Sequence, residues 1–109
     1  AMDIAVRIHK LTASFPSDER YGVTSQMRRA SLSVASNLAE GFGRHTYPDK
    51  KHKYIQARGE LVEMMNHLHY SARVGYVPIE TSENFLSEYT ILHKMINALI
   101  TTMSTKIKS

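Results

Sequence analysis

Cysteine is absent from the 109 residues. That removes disulfides, thiolate zinc sites and cysteine nucleophiles in one step, and it agrees with a reducing compartment. Proline and glycine are scarce, at three and five residues, so long uninterrupted elements are possible. No apolar run approaches the ~18 residues that a membrane helix requires. The start, Ala1-Met2-Asp3-Ile4, has no basic region followed by an apolar stretch. No signal peptide is expected, and the default location is the cytoplasm. No segment alternates apolar and polar residues as a half-buried strand does. Linkers, repeats and low-complexity tracts are missing, and the length is that of one domain, residues 1–109.

The few breakers fall in three places: Pro16 with Gly22, Gly41 with Gly43 and Pro48, and Gly75 with Pro78. Helical periodicity fills the intervals. Segment one, about Asp3 to Ser14, places Ile4, Ile8, Leu11 and Phe15 at helical spacing. Segment two, Thr24 to about Glu40, carries Met27, Ala30, Val34 and Leu38. Thr24 is a plausible N-cap, and Gly41 suits a left-handed stop. Segment three runs from Tyr47 to Val74, with Thr46 as cap, Pro48 in the first turn and Asp49 complementing the dipole. Tyr54, Leu61, Met65, Leu68 and Ala72 line one face, and Gly75 ends it. Segment four, from Thr81 or Ser82 to about Ile107, repeats Phe85, Tyr89, Leu92, Ile96, Leu99 and Met103. Short turns between long amphipathic helices predict an all-α fold, an up-down-up-down antiparallel four-helix bundle.

Familiar chemistries find no support. His67 and His69 are two apart, on different sides of a helix, and no His-x-x-x-His or Glu-x-x-His pair occurs on one helix face. The Glu-x-x-His pairs of bundle di-iron sites are missing. The serines of segment two have no histidine at helical spacing to act as base. Gly41-Phe42-Gly43 follows a helix and is too short for a phosphate loop. No metal, cofactor or catalytic residue is expected, and an enzyme is not expected.

Three features stand out. Gln26, Arg29, Ser33, Asn37, Glu40 and Arg44 share about a quarter of the helical circumference, at ~100° per residue. Such a stripe beside a core face is either a satisfied polar network or a ligand-facing groove. Arg58 falls among Tyr54, Leu61, Val62 and Met65 and needs an acceptor, for which Glu40 or Asn37 is the candidate. Leu32, Val74 and Ile91 lie off the main apolar faces, which suggests a subunit interface.

The net charge is +4, and it is unevenly spread. From Arg20 to Arg58 eight basic residues face two acidic ones, whereas Gly59 to His93 holds Arg73 against five glutamates. Arg44, Lys50, Lys51 and Lys53 straddle the turn between segments two and three, with His45 and Tyr47 among them; Arg28 and Arg29 stand about four turns earlier. Cations that meet phosphates release counterions, and an aromatic ring can stack on an unpaired base. The open alternatives are a solvated charged face, or a basic surface that meets the acidic segment of a neighbouring subunit.

The stretch FPSDERYGVTSQMRRASLSVASNLAEGFGR, Phe15 to Arg44, resembles the family of small four-helix-bundle proteins encoded within intervening sequences of bacterial 23S ribosomal RNA genes. Its matching pieces are Phe15-Pro16, Glu19, Tyr21-Gly22, Gln26, Arg28-Arg29-Ala30, Ser33-Val34, Asn37, Ala39-Glu40-Gly41 and Gly43-Arg44. Ala57-Arg58-Gly59, Leu61, Glu63 and Gly75-Tyr76 follow. Leu38, Glu60 and the Ala35-Ser36 pair depart from the pattern without touching its glycines or charged signature. The resemblance implies a four-helix bundle and a ring-shaped homo-oligomer, with a pentamer favoured. A related branch resembles the accessory proteins of diversity-generating retroelements, which are basic, ring-shaped and associate with nucleic acid and a reverse transcriptase.

The resulting expectation is a non-enzymatic, oligomeric nucleic-acid-binding protein, with RNA favoured. It would hold phosphates through Arg28, Arg29, Arg44, Lys50, Lys51 and Lys53, while Asn37, Glu40 and Arg58 form a polar network. The alternative is a protein-interaction scaffold whose charge asymmetry serves subunit assembly.

Overall fold

A computed structural model describes residues 1–109. Four helices follow in order: α1 (Met2–Thr12), α2 (Val23–Gly43), α3 (Tyr47–Arg73) and α4 (Ile79–Lys108), with a 3-10 turn at Ser17–Glu19 and no strand. The bundle is elongated, 50 × 23 × 18 Å. The all-α, up-down-up-down reading therefore stands.

The apolar stripes meet along the axis. Ile8, Met27, Ala30, Val34, Leu61, Met64, Leu68, Tyr89 and Ile96 are buried in one cluster. At roughly 25 cal/mol per Å2 of apolar surface removed from water, this cluster drives folding. α2 packs on α3, α3 on α4 and α1 on α2, but no Cα of α1 or α2 comes within 8 Å of one in α4. Side chains bridge α1 to α4: Arg7 reaches Glu88 in a bidentate pair at 2.6 and 2.7 Å and lies over the Phe85 ring.

At 1.5 Å per residue, the 11 residues of α1 span about 16 Å and the 30 of α4 about 45 Å. The start of α1, at Met2, lies beside Leu38, Phe42, Met95 and Leu99, which line a groove between α2 and α4.

The local signals mostly hold. The Thr46 hydroxyl accepts from the Asp49 amide at 3.2 Å, capping α3 behind Pro48. Gly75 has φ +85°, the left-handed stop expected of it. Two expectations are corrected. Thr24 is not an N-cap: α2 begins a residue earlier behind Gly22, and the Thr24 hydroxyl is buried without a partner. Gly41 does not end α2, which continues to Gly43. It is buried inside the helix, because a Cβ there would lie 2.5 Å from Cε1 of Tyr54.

That contact yields a paired prediction. Tyr54 is 2% exposed and cannot swing away. Gly41→Ala should lower unfolding free energy by about 1–3 kcal/mol through overpacking. Gly43→Ala, where a Cβ would meet nothing within 4 Å, should be neutral or stabilising by up to ~1 kcal/mol. Urea melts followed by circular dichroism separate the two; equal midpoints would mean that the helices are free to part.

Candidate nucleic-acid interface

The six cations singled out in the sequence fall into two groups. Arg28 and Arg29 are committed within the fold. Arg28 Nε donates to the Thr12 hydroxyl at 2.9 Å and its Nη2 to the His9 carbonyl at 3.2 Å. It thus ties the C-terminal turn of α1 to α2, where carbonyls lack intrahelical partners. Arg29 Nη1 reaches both oxygens of Glu60 at 3.1 Å, and Nη2 reaches Glu63 at 2.8 Å. One guanidinium spans two carboxylates of α3.

Arg44, Lys50, Lys51 and Lys53 gather at one end of the bundle, around the α2–α3 turn. Their duties differ. Lys50 Nζ donates to the carbonyls of Gly41 and Phe42 at 3.1 and 2.8 Å, where a cation complements the helix C-terminus. Lys53 pairs with Glu40 at 2.7 Å, while Arg44 stands 4.0 Å from the same carboxylate. Lys51 has no carboxylate within 4 Å among the ion pairs.

Sequence reasoning passed over Lys106 and Lys108. Both stand in the last turn of α4, which returns antiparallel to α3 and ends beside the α2–α3 turn. Lys106 Nζ sits 5.2 Å from the centroid of the Tyr47 ring at the start of α3. The up-down topology alone would have brought them here, since the end of a fourth helix lies beside the second connection. Lys106 and Lys108, like Lys51, have no acidic partner. This end of the molecule carries six lysines and arginines against Glu40 and Asp49. The excess equals the net charge of the whole chain.

The anticipated network of Asn37, Glu40 and Arg58 does not form. Asn37 donates to the Ser33 carbonyl and hydroxyl of its own helix at 2.9 and 3.1 Å. Glu40 turns to Lys53. Arg58 Nη1 donates to Asn97 of α4 at 3.0 Å. Helical angle accounts for it: Arg58 is two residues from Glu60, which faces α2, and ~200° around the helix from it. It therefore borders α4. The half-exposed Arg58 shares a shallow polar groove with Asn97 and His93.

Leu32, Val74 and Ile91 are all exposed. Leu32 lines a shallow pocket with Met2, Ala5 and Val6 of α1, whereas Val74 stands at the α3–α4 turn. Nowhere do three or more histidine and acidic side chains converge as metal ligands would. No helix is long and apolar enough to cross a membrane.

The ion pairs set the response to acid. Hydrogen bonds from Arg7 hold the Glu88 carboxyl below the usual range against the opposing effect of burial. Burial raises Glu63, but hydrogen bonds from Arg29 and His67 outweigh it and leave it lowered. Hydrogen bonding to Lys53 lowers Glu40. A carboxyl depressed in the folded state stabilises above its unfolded pKa, and that contribution is lost as pH falls through the folded value. Stability should be flat near neutrality and fall below pH ~4.5. Glu88→Gln should shift the midpoint down at pH 7 and flatten the acid limb of a pH series of thermal melts. An unchanged limb would mean that the Arg7–Glu88 pair contributes nothing to the acid response.

Comparison with known proteins places this geometry. No curated protein matches the sequence. A solved structure described as a protein with unknown function from the S23 ribosomal protein family of Bacteroides thetaiotaomicron superposes with a TM-score of 0.81. It is 22% identical, over 91% of this chain and 93% of that one, a likeness that shows the shared fold. The model of the 23S rRNA-intervening sequence protein family matches residues 1–98, nearly the whole bundle, and the chain belongs to that family.

Proposed function

We propose that this protein is a non-enzymatic, oligomeric nucleic-acid-binding protein that meets phosphates with the basic end of its bundle. The observation that carries the reading is the excess of charge gathered there, together with the three lysines, Lys51, Lys106 and Lys108, that no carboxylate neutralises. Arg44, held only at 4.0 Å from Glu40, is a fourth available cation. Phosphate contacts of this kind position a strand without reading its sequence. Lys50 and Lys53 add field while their ammonium groups serve the fold; Arg28 and Arg29 serve α1 and α3 and contribute little. RNA is favoured as the polymer, in keeping with the family's place within ribosomal RNA genes, and the cytoplasm is the compartment proposed for it.

Oligomerisation is supported by the surface around α1. Val6, Leu32 and Ile91 are exposed apolar side chains on three neighbouring helices. Such a patch on a small monomer favours a subunit contact. A closed ring, with a pentamer favoured, would repeat the basic end around an axis and multiply weak phosphate contacts. The scaffold alternative uses the same apolar surface and gives the basic end to a neighbouring subunit.

A salt series distinguishes them. Binding to labelled RNA should weaken steeply with salt, with a slope of roughly −0.7 per phosphate contact on a single strand. Lys51→Ala, Lys106→Ala and Lys108→Ala together should flatten that slope by about 2. Arg29→Ala should lower stability and leave the slope in place. If the triple variant binds with an unchanged slope, the basic end is not the contact surface. If salt instead dissolves the oligomer in sedimentation, the charges serve assembly.

A further inference from the structure

A groove between α2 and α4 lies next to the basic end. It measures about 380 Å3, and all ten residues lining it are hydrophobic, among them Met2, Leu38, Ala39, Phe42, Met95 and Leu99. Phe42 closes it towards the turn. Its ring is 63% exposed and edge-on to Tyr54, centroids 5.8 Å apart. The Phe42 carbonyl holds Lys50, and Arg44 follows two residues later. Tyr47, 43% exposed, stands beyond with the Lys106 ammonium against its ring. Two accessible aromatic rings therefore sit inside a rim of cations, and one opens onto an apolar slot.

These features favour one kind of occupant. The apolar slot offers no polar side chain to read a base edge, yet it accepts the flat face of a base. The cationic rim calls for an anionic backbone alongside. A duplex keeps base faces stacked on one another, so both rings would be idle against it; an unpaired strand has faces to offer.

Resting on the nucleic-acid reading above, we infer that the basic end is a single-strand site. One unpaired base stacks on Phe42 in the α2–α4 groove and a neighbouring base lies against Tyr47. Arg44, Lys51, Lys106 and Lys108 hold the intervening phosphates, with little sequence preference.

The experiment is fluorescence anisotropy with a labelled unstructured 20-nucleotide RNA, alone and annealed to its complement, at one ionic strength. The single strand should bind at least about tenfold more tightly, the size of one stacked base. Phe42→Ala and Tyr47→Ala should each weaken single-strand binding by roughly 5- to 150-fold and leave duplex binding unchanged, while Tyr47→Phe should bind as the parent does. Because the chain lacks tryptophan, Phe42→Trp installs a unique reporter. Its emission should be quenched by the single strand and not by the duplex. Equal affinity for both forms, insensitive to Phe42 and Tyr47, would overturn the single-strand inference and leave phosphate binding standing. Binding of neither form would overturn the nucleic-acid reading itself. A Phe42→Ala protein that changes sedimentation but keeps its discrimination would overturn the groove assignment in favour of a second copy of the chain.

Discussion

Gly41 lies against the ring of Tyr54, and the basic end depends on that close approach. A side chain at residue 41 would force α2 and α3 apart where they join. Their proximity lets Lys53 of α3 reach Glu40 of α2. It also lets Lys50 reach back to the last carbonyls of α2, and it sets Phe42 edge-on to Tyr54. Charge density follows from packing: cations that would repel one another in a loose loop are fixed on a tight one, two of them anchored to acceptors of α2. Those two anchors lower the cost of holding the remaining cations close together.

The arginines illustrate how packing divides residues that composition treats alike. Arg28 and Arg29 adjoin in sequence and are both rich in donors, yet each is consumed by a structural contact. Arg28 fastens the end of a helix too short to stand alone, since isolated helices of 11 residues are marginal in water. Arg29 bridges two glutamates of α3. The basic middle and acidic later segment of the sequence are therefore partly the two sides of one internal interface. At the α2–α3 turn, what would remain for an anionic partner is the charge that the fold does not use there.

Much of the architecture was legible in the sequence. Breakers and helical periodicity located four helices, and Thr46, Pro48 and Gly75 act as their local chemistry dictates. The failures share a cause. Thr24 and Gly41 were assigned from local preference, but tertiary contact decides both: one is buried without a partner, the other is the point where two helices touch. Arg58 was paired by its place on an apolar face, with no helical phase to say which neighbour that edge meets. The candidate site was half legible. The turn cluster was visible as a charge run, while Lys106 and Lys108 are more than 50 residues away in sequence and join it only through topology. The exposure of Phe42 was invisible, because it depends on how the helices pack around it and on no local pattern in α2.

An apolar channel between α2 and α4 stands open to water beside the highest density of positive charge, at a cost in unburied hydrophobic area. Elsewhere the chain adds contacts to secure α1: the bidentate Arg7–Glu88 pair, Arg7 over Phe85, and Arg28 on the last turn. A surface that joins apolar faces to cations suits a partner with flat apolar groups on an anionic backbone.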